Sequence, residues 1–379
     1  MKNSIPGALA VLALCACAEQ PPPPAPPAPP PPPAAFALPP PAAPAYTAVP
    51  VFFATDRQKT ASGSYETFYG AGLNTQDLQY GEAIVTIPAT HTAGQIERPP
   101  TLFSIQLREE NPEKDIVIFS LGNLDRNAFL HDLAQATAPG KKDIFVFVHG
   151  FNTSFAEGIR QTAQLKYDLP FDGPAVLYSW PSDGRTAAFT ADTNLALTTI
   201  QHLEEFLQQA AAASSTNGIH ILAHSLGSRP LLYALYDLRN NALVHNKIKN
   251  VILAAPEIPQ VTYLQIANAM NSSQPYNITL YASNRDRVLR LAQDLDQLPS
   301  REFIPRLGDL RKGIFLDRSL QTIDASAVDT DFLGHHYFAD TIVPDMHILI
   351  DKGTSPGQRG LLAQVTPIGT YWVIPVPGS

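Results

Sequence analysis

Cysteine is almost absent from this chain. The 379 residues hold two, Cys15 and Cys17, and none follows. The sequence beyond residue 17 therefore has no disulfide framework and no thiolate metal site. Charge is sparse as well: 26 Lys and Arg stand against 34 Asp and Glu, a net of −8, and charged residues make up 16 %. No basic cluster breaks this balance, which excludes the electrostatic footprint of a nucleic-acid binder. No charged residue lies between Glu19 and Asp56. The apolar run near the start, Ile5 to Ala16, is shorter than the ~20 residues of a membrane-spanning helix. Internal repeats are also missing, which argues against a solenoid or propeller.

What is abundant is proline, and it is unevenly placed. Of 36 prolines, 15 fall between Pro21 and Pro44. A segment so rich in proline and so poor in charge cannot pack a core and is expected to run as an extended, stiff spacer. Ahead of it, Lys2 and the apolar run have the layout of a secretory signal peptide. Leu14-Cys15-Ala16-Cys17 resembles a bacterial lipobox, with Cys17 as the lipidated first residue of the mature chain. Ala18 follows it, rather than an aspartate that would favour inner-membrane retention, so an outer-membrane anchor facing the periplasm is expected. The competing expectation is a plain signal peptide cut after Ala18 and a secreted soluble protein. The organisation read from the sequence is thus a signal peptide (1–17), a Pro-rich tether (18–45) and one domain (46–379). Within that domain, extension strands occupy 46–125, a catalytic core 126–352 and a C-terminal tail 353–379.

From Tyr46 onward the pattern is globular, with hydrophobic residues at 45 % overall. Val49 to Ala54, Ala83 to Ile87 and Asp115 to Phe119 read as strands, and Asp125 to Ala134 as a helix. Ile144-Phe145-Val146-Phe147-Val148 is a continuous apolar run, the signature of a strand buried on both faces. Ser154-Phe155-Ala156-Glu157 has the form of a capping box, and Phe155, Ile159 and Ala163 then repeat on one helical face. Strands follow at Ala175 to Trp180, Ile219 to Leu222, Val251 to Ala254 and Ile278 to Tyr281. A single amphipathic helix is expected to carry Ala196, Ile200, Leu203 and Leu207. This alternation predicts an α/β fold, a mostly parallel central sheet with helices on both faces.

The chemistry centres on Ala223-His224-Ser225-Leu226-Gly227, between an apolar strand and a helical segment. A serine on a sharp strand-to-helix turn, flanked by small residues, is a nucleophile elbow. Alone, the pentapeptide also suits an ordinary helix-capping serine. An acyl-transfer serine needs a base, an orienting acid and two oxyanion donors, in the chain order serine, acid, histidine. The strand ending at Val148 runs into His149-Gly150-Phe151-Asn152, where glycine permits a turn. The N–H of Phe151 is the first choice of donor, that of Asn152 the second, and that of Leu226 the other member of the pair. His149 precedes the serine and is read as shaping the loop, not as the base. After the strand Ile278 to Tyr281, Asp286 is the carboxylate of the loop; a helix cap before Val288 is its structural alternative. His335, His336 and His347 follow, with His347 read as structural. The residues alone do not choose between His335 and His336.

Taken together, Val51 to Arg57, Phe147 to Asn152, Tyr178 to Ser182, Ala223 to Gly227, Tyr281 to Asp286 and Gly334 to Phe338 resemble the bacterial α/β-hydrolases of the domain-of-unknown-function 900 group. Many of that group carry lipoprotein-like N-termini. The resemblance implies the α/β-hydrolase fold and a serine hydrolase with Ser225, Asp286 and His335, the glycine-histidine pair pointing to His335 over His336. It gives no substrate; a serine nucleophile leaves esters, thioesters and amides open, and a small-molecule or lipid-like ester is expected, with no metal and no cofactor, while the charge balance already argues against a nucleic-acid partner. Two features depart from the pattern: Pro230 lies early in the helix after the serine, and Arg285 and Arg287 flank Asp286. The alternative expectation is a non-catalytic envelope protein that uses the fold as a binding scaffold.

Overall fold

The computed structural model describes residues 45–102, 105–138, 140, 142–183, 189–213, 218–270, 276–296, 304–328 and 342–375. Cys17, the signal-peptide and tether segments, His335 and His336 lie outside the described residues. Everything below belongs to the unit from Pro44 to Ser379.

The strands are β1 (Tyr46–Thr55), β2 (Arg57–Lys59), β3 (Tyr69–Leu73), β4 (Gln79–Pro88), β5 (Thr101–Leu102), β6 (Ile105–Gln106), β7 (Val117–Leu124) and β8 (Ile144–Val148). They continue as β9 (Ala175–Ser179), β10 (Ile219–His224), β11 (Ile248–Ala254), β12 (Ile278–Ala282), β13 (Leu320–Asp324), β14 (Leu362–Thr366) and β15 (Gly369–Val373). The helices are α1 (Arg126–Thr137), α2 (Phe155–Asp168), α3 (Phe189–Thr198), α4 (Ile200–Ala213), α5 (Ser228–Asp237), α6 (Ala242–Lys247), α7 (Gln260–Met270), α8 (Arg287–Asp296) and α9 (Val343–Lys352).

Eleven strands form one sheet, in the order β14-β15-β13-β12-β11-β10-β8-β9-β1-β4-β7. From β15 across to β1 every pairing is parallel. The pairings at the two margins are antiparallel. The predicted sheet, mostly parallel with helices on both faces, is therefore what the chain builds. Alternation along β8 shows how it is filled: Val146 and Val148 pack on one face with Phe206, Leu207 and Leu231, while Phe145 and Phe147 pack on the other with Ile159 and Met346. All five β8 residues are buried, so no polar side chain is tolerated there. The capping box at Ser154 forms as read, with Ser154 and Glu157 each satisfying the other's backbone N–H.

Three expectations change. The single helix over Ala196 to Leu207 is two, α3 and α4, broken at Thr199. The Thr199 hydroxyl donates to Asp56 Oδ2 at 2.5 Å, and its carbonyl accepts from the Tyr178 hydroxyl at 3.2 Å. The extension strands β1, β4 and β7 are part of the central sheet, because β1 pairs in parallel with β9. The segment read as a C-terminal tail holds the β14–β15 hairpin, which pairs with β13 through Ile323 opposite Trp372.

The chain enters β8, crosses through α2 to β9 on one side, then returns through α3 and α4 to β10 on the other. The order reverses at β8, and the crevice beyond the carboxyl ends of β8 and β10 is where such a sheet binds ligands.

Candidate active site

Ser225 follows the last residue of β10 and adopts φ +50°, a left-handed conformation that a non-glycine residue takes only under constraint. The constraint is visible. Its carbonyl accepts from the Glu257 N–H at 3.0 Å and from the Ser228 hydroxyl at 2.7 Å. The turn continues as a 3-10 segment, Ser225–Gly227, directly into α5. Gly227 is required by proximity: a Cβ there would fall 2.9 Å from the Val148 carbonyl and still closer to that of His149. The expected elbow geometry is present, with Ser225 almost fully buried at 2 % exposure. Pro230 is the third residue of α5, inside the first turn, where its missing N–H costs little.

The loop after β8 packs against this turn. A Cβ on Gly150 would meet both Ser225 Cβ and His224 Nδ1 at 2.9 Å, so glycine is what allows the loop to approach the serine. Asn152 has φ +58° and is exposed. Among the described residues, the N–H groups of Phe151, Asn152 and Leu226 are not donated to any protein acceptor. Both first-choice donors therefore remain available to a ligand.

His149 is fully buried and stacks on Trp180, with ring centroids 5.1 Å apart and planes 13° apart. The Trp180 indole N–H donates to the His149 carbonyl at 2.8 Å. Burial, reinforced by the Arg57 guanidinium, lowers the imidazole pKa to about 3. It is therefore neutral at ordinary pH, packed between Trp180 and the Arg57 guanidinium.

Asp286 is buried at 2 % exposure, while Arg285 and Arg287 on either side are exposed. Asp286 Oδ1 accepts the Leu289 N–H at 2.8 Å, so it does cap α8. His347 lies on α9, where its Nδ1 is 2.7 Å from the Leu169 carbonyl, a packed structural position.

Beside the serine turn lies a cavity of about 670 Å³, a size in the range of small-molecule sites. Phe151, Phe189 and His224 line it, together with Val288, Leu291 and Ala292, an apolar stretch of α8. Ile96, Arg98 and Pro99, which also line it, come from the segment between β4 and β5. An ionic network secures that segment. Buried Arg160 of α2 pairs with Glu66 and, at 3.1 Å, with Glu110; Arg98 reaches Glu110 at 3.3 Å.

Sequence reading missed the residues that brace the loops. Arg57 is 1 % exposed and bonds Ser179, Ser182 and Thr153. Glu257, also buried, pairs with Arg229 of α5 at 2.6 Å and with Arg306 at 2.7 Å. Asp192 accepts from the Ser182 hydroxyl at 2.5 Å. Only one signal pointed to any of these: each is a charged residue inside or beside an apolar stretch.

No curated protein matches the sequence. Among solved structures, an uncharacterized Bacillus cereus protein is similar at 14 % identity and TM-score 0.35, over 56 % of this chain and 61 % of its own. A gene product of Listeria innocua is similar at 10 % identity and TM-score 0.37, over 56 % and 96 %. An esterase of Pyrobaculum calidifontis is similar at 11 % identity and TM-score 0.28, over 51 % and 69 %. A family match carries more. Residues 125–351, more than half of the chain, match the family described as alpha/beta hydrolase of unknown function, DUF900. With its parallel sheet and its serine turn beyond β10, the chain belongs to this alpha/beta hydrolase family.

Proposed function

We propose that the protein is a serine hydrolase that cleaves carboxylic esters or thioesters through an acyl-enzyme. The observation that carries the reading is Ser225 itself: a left-handed residue on a strand-to-helix turn, next to His224, which lines the cavity, with undonated backbone N–H groups on the neighbouring Phe151 and Leu226. Ser225 Oγ attacks the carbonyl carbon while His335 takes its proton. The tetrahedral oxyanion is held by the N–H groups of Phe151 and Leu226, each contributing about 3 kcal/mol to the transition state. Collapse breaks the bond to the leaving alcohol or thiol, which receives the proton from His335. A water deprotonated by His335 then releases the acid. Asp286 holds the imidazole in the productive tautomer. In this reading its second carboxylate oxygen serves His335 while Oδ1 caps α8. The chemistry needs neither metal nor cofactor.

Purified full-length protein treated with a fluorophosphonate probe tests this. Wild type is expected to label and Ser225→Ala to remain unlabelled. Folded wild type that resists labelling refutes the enzyme and leaves the binding scaffold. Nitrophenyl esters of increasing acyl length then define the substrate. The same proposal places the domain in the cell envelope, tethered by a lipid on Cys17. Cys17→Ala is expected to release the protein from membranes, and retention there refutes the anchor.

A further inference from the structure

We propose that Arg57 is a positioning residue for the oxyanion site and acts through His149. The proposal rests on the reading of the Phe151 N–H as an oxyanion donor. Arg57 stands after β1, outside the residues of the family match, 125–351.

A guanidinium has five N–H donors in a fixed fork. In Arg57 every one has an acceptor. Nε donates to Ser179 Oγ at 2.8 Å; Nη1 donates to the carbonyls of Gly70 at 3.1 Å and Ser182 at 2.8 Å. Nη2 donates to the Thr153 carbonyl at 2.8 Å and faces His149 Nε2 at 3.4 Å. One side chain thus ties the loop after β8 to the loop after β9. None of the five acceptors is a carboxylate, so the contacts depend on the shape of the fork rather than on ion pairing.

The His149 contact fixes the tautomer. His149 Nδ1 lies 2.8 Å from the Gly150 carbonyl, which can only accept, so the ring proton is on Nδ1. Nε2 is then the acceptor and faces Arg57 and the Ser179 hydroxyl, the latter at 3.2 Å. The Gly150 carbonyl and the Phe151 N–H belong to the same peptide plane and, in a trans peptide, point in opposite directions. Drawing that carbonyl back to His149 turns the Phe151 N–H away from the ring. Gly150 itself lies against Ser225. The relay therefore runs from the Arg57 fork to His149, from His149 to the Gly150 carbonyl, and from that peptide to its own N–H.

Arg57→Lys keeps the charge and loses the fork. Hydrogen exchange of the full-length variant is expected to accelerate at least tenfold in peptides covering residues 148–154, with β10 to β12 unchanged. Labelling and nitrophenyl-ester turnover are expected to fall about 100-fold in kcat, with KM within about threefold. His149→Ala is expected to lose as much, and the double variant no more than His149→Ala alone. Unchanged exchange in 148–154, uniform acceleration throughout the domain, or losses that multiply would each overturn the relay. Should wild type fail to label at Ser225, the hydrolase reading falls, and the exchange pattern still decides whether Arg57 holds the loop.

Discussion

Gly227→Ala probes the closest contact under the serine turn. The added methyl would meet the His149 carbonyl well inside the 3.0 Å that Cβ atoms essentially never breach, and the Val148 carbonyl at 2.9 Å. Both obstacles are backbone, so no side-chain rotation relieves them. The His149 carbonyl is further held by the Trp180 indole at 2.8 Å. The turn and the β8 loop must therefore separate by roughly half an ångström or more, and overpacking of this kind costs about 1–3 kcal/mol. The activity loss is larger in proportion, because a misplacement near 1 Å in a catalytic array costs about 100-fold. Urea unfolding followed by tryptophan fluorescence reads the stability, and initial rates on a short nitrophenyl ester read the turnover. A variant that unfolds at the wild-type midpoint and keeps its rate within about threefold would refute the argument that glycine is there for proximity.

Ser225→Gly is expected to abolish labelling yet raise unfolding stability by about 1 kcal/mol, since glycine occupies φ +50° without strain; a less stable variant would contradict the strain reading. Asp286→Asn retains an oxygen for the Leu289 N–H, so stability should change little while kcat falls by about 10³-fold or more. Asp286→Ala should also lose about 1 kcal/mol with the cap. Wild-type turnover in the Asn variant would reduce Asp286 to a helix cap. His91 is buried between Glu97 at 2.8 Å and Asp168 at 2.9 Å. Burial opposes its charge, but the hydrogen bonds from Asp168 and Glu97 outweigh it and raise its pKa above the usual value. Its contribution to stability is therefore complete below the unfolded value of about 6.5 and is lost as pH rises through the raised folded value. His91→Gln should remove that pH-dependent loss from urea titrations, and an identical pH profile in the variant would rule the effect out.

Legibility in the sequence followed burial. β8 was readable because a strand covered on both faces admits nothing polar, and Ser154 was readable because a capping box is local. The break at Thr199 was not, since the groups it bonds, Asp56 and Tyr178, come from distant parts of the chain. The β14–β15 hairpin was read as a tail because its strands are short and half exposed, with Val365 and Ile368 open to solvent, so no apolar alternation marked them. Arg57 stood in a segment read as resembling the family, outside the matched residues 125–351, and a cation just past an apolar strand has no sequence signature of total burial.

By itself, the sequence determined the α/β class, the serine turn with its small flanking residues, the loop glycine ahead of it and Asp286 after a strand. These depend on hydrophobic period, local caps and chain order, all of which are written along the chain. Only the tertiary structure decided that the extension strands join the central sheet, that the segment between β4 and β5 lines the cavity, and that burial holds the His149 imidazole neutral. Only there does one guanidinium after β1 brace loops more than ninety residues away. Those outcomes depend on which dipoles and charges share a buried space once the parallel strands align their carboxyl ends, and pattern along the chain carries no record of it.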